Sequence, residues 1–77
     1  MAEFKFEIIE NLGRLSTKSN NWTKELNIVK WSDYEPKYDI REWNPDHTRM
    51  SKGVTFTEEE IRILHSLLEE EIKNLDE

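Results

Sequence analysis

The chain contains no cysteine. That removes disulfides, thiolate nucleophiles and sulfur-ligated zinc together, and leaves His47 and His65 as the only imidazoles, so neither a metal centre nor a bound cofactor is expected. Glycine occurs only at Gly13 and Gly53, too far apart to form a phosphate-cradling loop. Long apolar runs are also missing. Met1-Ala2-Glu3-Phe4-Lys5 leads into an alternating charged segment, so neither a signal peptide nor a membrane span is expected, and the expectation is a cytoplasmic protein without membrane contact.

What remains is 77 residues, enough for one domain at most, and a chain this short buries too little apolar surface to be very stable without a partner subunit. Three Trp, three Phe and two Tyr nonetheless make a compact core feasible despite 36% charged residues. The net charge of −6 argues at first against a nucleic-acid partner, because phosphate binding leaves a basic footprint. Its distribution removes that objection. Glu58, Glu59, Glu60, Glu69, Glu70, Glu71, Asp76 and Glu77, against Arg62 and Lys73, carry the whole of it, so everything before Thr57 is neutral and the Arg14 to Lys52 stretch is mildly basic and rich in Trp.

The carboxyl-terminal segment is helical by pattern. Thr57-Glu58-Glu59-Glu60 is a capping box, and Ile61, Leu64, Leu68, Ile72 and Leu75 follow at spacings of three and four, with Ile63 and Leu67 widening the stripe. Upstream, short β-branched and aromatic runs broken by turn formers predict four strands, at about 4–15, 22–31, 37–43 and 52–56, ahead of a helix at about 58–75. The slip in alternation at Ile8-Ile9, with Gly13 beyond it, predicts a bulge in the first strand. In the third, Tyr38, Ile40 and Glu42 point one way and Lys37, Asp39, Arg41 and Trp43 the other. In the second, the faces stay unassigned: Leu26 and Ile28 share one parity, Val29 and Trp31 the other. The chain is thus an α+β unit of four antiparallel strands and one helix. A single helix covers one sheet face, so the other is left for water, a partner or a ligand.

That second face is where function is expected. Lys37, Arg41 and Trp43 place cations beside an aromatic plane, the combination that holds single-stranded nucleic acid through its phosphates and splayed bases. The plainer reading is that Trp43 seals an apolar edge and the cations are solvated. Trp22, Lys24, Lys30, Arg49, Lys52 and Lys18 are further candidate contacts, and Trp31 is expected in the core. Catalytic alternatives are weaker, since His47 beside Asp46 and Asp39 near Arg41 read as structural pairs and a one-layer sheet offers little cleft. The chain is not expected to be an enzyme.

Lys37-Tyr38-Asp39-Ile40-Arg41-Glu42-Trp43, followed by Ser51-Lys52-Gly53-Val54-Thr55-Phe56 and a capped helix, resembles the transcriptional positive cofactor 4 family, closest to its bacterial YdbC-like branch. Phe4 to Ile9 and Trp22 to Leu26 extend the likeness over nearly the whole chain. The resemblance implies a ββββα protomer that dimerises through its helix, with Ile61, Leu64, Leu68, Ile72 and Leu75 at the interface, and binds single-stranded DNA with little sequence preference. It implies that Arg41 and Lys52 face DNA, and that a stacking aromatic after the second strand falls to Trp31, Tyr34 or neither. Where eukaryotic members show a further Trp after this strand, the chain has Asn44. Two competing expectations stay open: single-stranded RNA as the ligand, and a protein-interaction module that uses the open sheet face.

Overall fold

A computed structural model of the protein describes residues 5–77 and contains the expected element order: β1 (Phe6–Thr17), β2 (Thr23–Trp31), β3 (Lys37–Trp43), β4 (Val54–Phe56) and α1 (Glu58–Leu75). The strands form one antiparallel sheet in the order β1-β2-β3-β4. Phe4, expected at the head of the first strand, lies outside the described residues. The helix begins where its capping box puts it: Thr57 Oγ1 accepts from the Glu60 amide at 3.1 Å and Glu60 Oε1 accepts from the Thr57 amide at 2.8 Å.

Cross-strand pairing sorts the sheet into two faces. Phe6 with Trp31, Ile8 with Val29 and Lys37, Asn11 with Asn27 and Asp39, Arg14 with Glu25 and Arg41, and Thr17 with Thr23 and Trp43 stand on the first. Glu10 with Ile28 and Tyr38, Gly13 with Leu26 and Ile40, and Ser16 with Lys24 and Glu42 stand on the second. The helix lies against the second face, where Ile61, Leu64 and Leu68 with Leu15, Leu26 and Ile40 border a cavity of about 240 Å³.

The first face was expected to be open, but it holds the most deeply buried residues: Val29, Trp43, Asn27 and Asp39. The reason is curl. Register shifts fall between Ile8 and Glu10, Asn11 and Gly13, and Arg14 and Ser16, so the predicted bulge is the first of three, and each increases local twist. Phe6 and Trp43 pair with opposite ends of β2, about 27 Å apart at ~3.4 Å per residue. Their ring centroids are nevertheless 5.2 Å apart, so the sheet is rolled on itself with this face inside. Both parities of β2 are therefore apolar because both of its faces are covered, by the helix on one side and by the roll on the other.

The segment between β3 and β4 closes one end of the roll. Trp43 bridges to Met50, the Ser51 amide donates to the Glu42 carbonyl at 3.0 Å, and the Asn44 amide donates to the Arg49 carbonyl at 3.1 Å.

Candidate nucleic-acid interface

The Asp-x-Arg spacing on β3 puts Asp39 and Arg41 on one face, two residues apart. Asp39 is fully buried, and the Arg41 guanidinium grips it bidentately, Nε donating to Oδ1 at 2.8 Å and Nη2 to Oδ2 at 2.6 Å. Nη1 donates to Met50 Sδ at 3.3 Å and to the Ser51 carbonyl at 3.5 Å, and the guanidinium carbon lies 4.4 Å from the centroid of the Trp31 ring. Such pairing is what makes a buried carboxylate tolerable, because an unpaired charge there costs several kcal/mol. Arg41 is thus mainly a structural clamp, with 13% of its side chain exposed. Only that exposed edge is left for a phosphate or for the face of a base.

Gly53 explains how the closing segment reaches Arg41. A Cβ at this position would collide with Arg41 Cβ and come within 2.6 Å of the Ile40 carbonyl and 2.8 Å of Arg41 Nε. Only glycine lets Ser51-Lys52-Gly53 lie on the arginine stem, and this brings exposed Lys52 beside Arg41.

The two tryptophans exchange their expected roles. Trp43, expected to stack on bases, is fully buried, with Phe6 at 5.2 Å and His47 at 5.6 Å between ring centroids. It is a core residue because rolling the sheet turns the inner end of β3 inward. Trp31, expected in the core, is only partly buried and carries Arg41 over its ring. Tyr34, in the turn after β2, is 72% exposed, the barest aromatic side chain among the described residues.

The remaining predicted contacts divide by face. Lys37 is exposed on the first face, and Lys52 and Arg49 are exposed in the segment between β3 and β4. Lys24 and Lys30 alternate with the first-face residues of β2 and so stand on the helix side, with Glu42 and Glu7 as their cross-strand partners. Lys18 is held by Glu42 at 2.8 Å on that same side, and Trp22 sits half-buried in the turn before β2. These four are not assembled with Arg41.

Sequence reasoning missed a second polar cluster on the first face. Glu25, 5% exposed, accepts hydrogen bonds from Asn11 Nδ2 (3.0 Å), Asn27 Nδ2 (3.2 Å), Thr23 Oγ1 and His47 Nε2 (3.0 and 2.9 Å to its two oxygens). Burial alone would raise its pKa. Hydrogen bonds from Thr23, Asn27 and His47, with the charge His47 can carry, outweigh burial and hold the carboxyl below its ordinary range. His47 therefore pairs with Glu25, twenty-two residues away, and not with adjacent Asp46, whose carboxylate caps Thr48. Spacing gave no sign of this, but His47 adopts a left-handed φ of 58°, which folds the turn back over the sheet.

Ile8, Asn11, Arg14, Glu25 and His47 line an open pocket of about 500 Å³ beside the Arg41 row. Among the described residues no group of His, Asp and Glu is arranged to hold a metal ion, and no helix is long and apolar enough to cross a membrane. The ββββα chain thus presents on its first face an Arg41 that is clamped to Asp39 and lies over Trp31, with Gly53 packed on the arginine. The model of the Transcriptional Coactivator p15 (PC4) family matches residues 18–75. The chain belongs to that family. The match covers β2, β3, β4 and α1, whereas β1, which supplies Asn11 and Arg14, lies before it. A relative from Treponema pallidum (strain Nichols), described as an uncharacterized protein, is 47% identical over 66 residues, covering 86% of this chain and 78% of that protein.

Proposed function

We propose that this PC4-family chain is a non-enzymatic protein that binds single-stranded DNA on the first sheet face, as a homodimer of the YdbC-like branch, and acts in the cytoplasm in transcription, replication or repair. The observation that carries the reading is the Arg41 guanidinium over the Trp31 ring, with exposed Lys37 on the same face of β3, exposed Lys52 between the Ser51 and Gly53 that pack on Arg41, and exposed Tyr34 in the turn after Trp31. Cations beside aromatic and guanidinium planes suit a strand whose phosphates and unstacked bases are reachable together. A duplex hides its bases and lacks that match.

Self-association is supported by what α1 leaves uncovered. Leu67, Leu68, Ile72 and Leu75 are 65%, 49%, 53% and 72% exposed, and no α1 residue is buried. Ile9, Leu12 and Leu15 of the bulged strand are exposed too. An apolar surface of this extent marks an interface, and a two-fold arrangement buries the same patch on both copies. Of the residues expected there, Ile72 and Leu75 are free for a partner, while Ile61, Leu64 and Leu68 also border the cavity against their own sheet.

The test is a titration of fluorescent oligo-dT of about twenty nucleotides, at low and moderate salt, with duplex DNA and oligo-U as competitors. Salt-sensitive binding that duplex fails to displace is expected, and displacement by oligo-U would reassign the ligand to RNA. Absence of binding at low salt refutes the reading and leaves the first face as a protein-docking surface.

A further inference from the structure

With no cysteine, the sulfur of the chain is confined to Met1 and Met50. Met1 lies outside the described residues, whereas Met50 touches the arginine of the proposed interface. Its backbone bridges to Trp43 at the end of β3, and its Sδ accepts from Arg41 Nη1 at 3.3 Å. The residue is partly exposed, so a small oxidant has access to it.

The contacts of the guanidinium are unequal. Nε and Nη2 hold the buried Asp39 carboxylate at 2.8 and 2.6 Å, charge-assisted bonds that cannot be released without stranding a buried charge. Nη1 meets two weaker acceptors, the thioether at 3.3 Å and the Ser51 carbonyl at 3.5 Å, the latter beyond the usual range of such a bond. A strand phosphate replaces those contacts by a charge-assisted one, so Nη1 is the donor that Arg41 yields most readily. How strongly Met50 accepts therefore sets how much of Arg41 is left for the strand.

We propose that Met50 is a reversible oxidation site at which a hydroperoxide lowers the affinity of the protein for single-stranded DNA. With hydrogen peroxide, a lone pair on Sδ attacks one oxygen and an S–O bond forms as the O–O bond breaks. The proton of the transferred oxygen passes to the departing hydroxide, which leaves as water. The sulfur loses two electrons and the peroxide gains them. The product is a neutral sulfoxide, which turns an apolar side chain into a polar one with a strong acceptor oxygen. That oxygen engages Nη1 in a bond of the kind a phosphate would make, so the strand no longer gains by displacing it. Reduction of the sulfoxide returns the weak acceptor. The inference rests on the single-strand reading and adds control of that site by the oxidation state of one side chain.

The experiment treats the protein with dilute hydrogen peroxide, maps oxygen gain by peptide mass spectrometry, and measures oligo-dT binding by anisotropy across salt before and after. Gain of one oxygen at Met50 is expected to weaken binding roughly tenfold, the scale of one hydrogen bond to a charged group. The log–log salt slope should become shallower by about 0.7, the mark of one lost phosphate contact, with Tm retained and binding restored by methionine sulfoxide reductases. Met50→Leu keeps Met1 but has no thioether at Arg41, so its binding should withstand peroxide. Met50→Gln, with an amide oxygen in that place, should bind weakly without peroxide. No oxygen gain at Met50, a sulfoxide that binds with the original affinity and slope, a fall in Tm with the slope unchanged, or an equal peroxide effect on Met50→Leu overturns the oxidation site and leaves the single-strand reading standing. Failure of the untreated protein to bind oligo-dT overturns both.

Discussion

Gly53→Ala tests the packing that joins the fold to the interface. Gly53 has no positive φ, so alanine meets no backbone prohibition, and by narrowing the unfolded ensemble it would ordinarily stabilise by about 0.4–1 kcal/mol. Sterics oppose this. The new methyl would sit on Arg41 Cβ, 2.6 Å from the Ile40 carbonyl and 2.8 Å from Arg41 Nε, and two of these three atoms cannot swing away. Overpacking of this kind costs about 1–3 kcal/mol. Lifting Ser51–Gly53 also weakens the Nη1 contacts and lets water reach the Asp39–Arg41 pair. A net loss of about 2 kcal/mol is expected, which for a chain of this size lowers Tm by roughly 8–16 °C. Circular dichroism melts at fixed protein concentration measure it, since self-association would make Tm depend on concentration. Gly13→Ala is the internal control: its φ is also not positive and a Cβ there meets nothing within 4 Å, so its Tm should hold or rise slightly. Equal melting of the two variants would refute the close-approach argument.

Three further outcomes are expected. Glu25 has a lowered pKa in the folded protein, so its contribution to stability is present above the ordinary carboxylate value of 4.5 and is lost as pH falls below it; urea titrations across pH 6 to 3 should show less of this acid loss in Glu25→Gln, and identical profiles would count against the cluster. Lys52→Ala should flatten the salt dependence of oligo-dT binding by about 0.7 in log–log slope for each phosphate that the lysine neutralises, without moving Tm; an unchanged slope would remove Lys52 from the interface. Leu67→Glu, at a side chain 65% exposed in the protomer, should leave the fold intact and halve the mass seen by sedimentation if α1 forms the two-fold contact, whereas an unaltered mass would place that contact elsewhere.

The element order was legible because each element carries its own local signal. The capping box fixed the start of α1, and the strict alternation from Lys37 to Trp43 gave the two faces of β3 correctly. The first bulge was visible as the Ile8-Ile9 slip, but the two that follow were not. Ile9, Leu12 and Leu15 recur every third residue, a period that belongs neither to a strand nor to a helix, and only the paired register shows them to be the extra residues of three successive bulges. What those bulges do together, rolling the sheet until Phe6 meets Trp43, is a long-range consequence that no local pattern contains.

The misplaced tryptophans follow from that curl. In a flat sheet with a helix on one side, every side chain of the opposite parity is exposed, and Trp43 beside Arg41 would be a stacking platform. In a rolled sheet the same parity points inward, so residues near the axis of the roll are buried whatever their chemistry, which is how Asp39, Asn27 and Glu25 come to share the interior with Trp43 and Val29. Burial then forces pairing. Asp39 takes Arg41, the structural pair their spacing leads one to expect, Glu25 takes His47 and its amide and hydroxyl neighbours, and a cation expected to face phosphate is partly committed to a carboxylate. The same roll brings Arg41 onto Trp31, so the planar group left at the rim is a guanidinium–indole pair and not the tryptophan two residues along the strand. Sequence parity told which side chains share a face, and curvature decided which of them a ligand can reach.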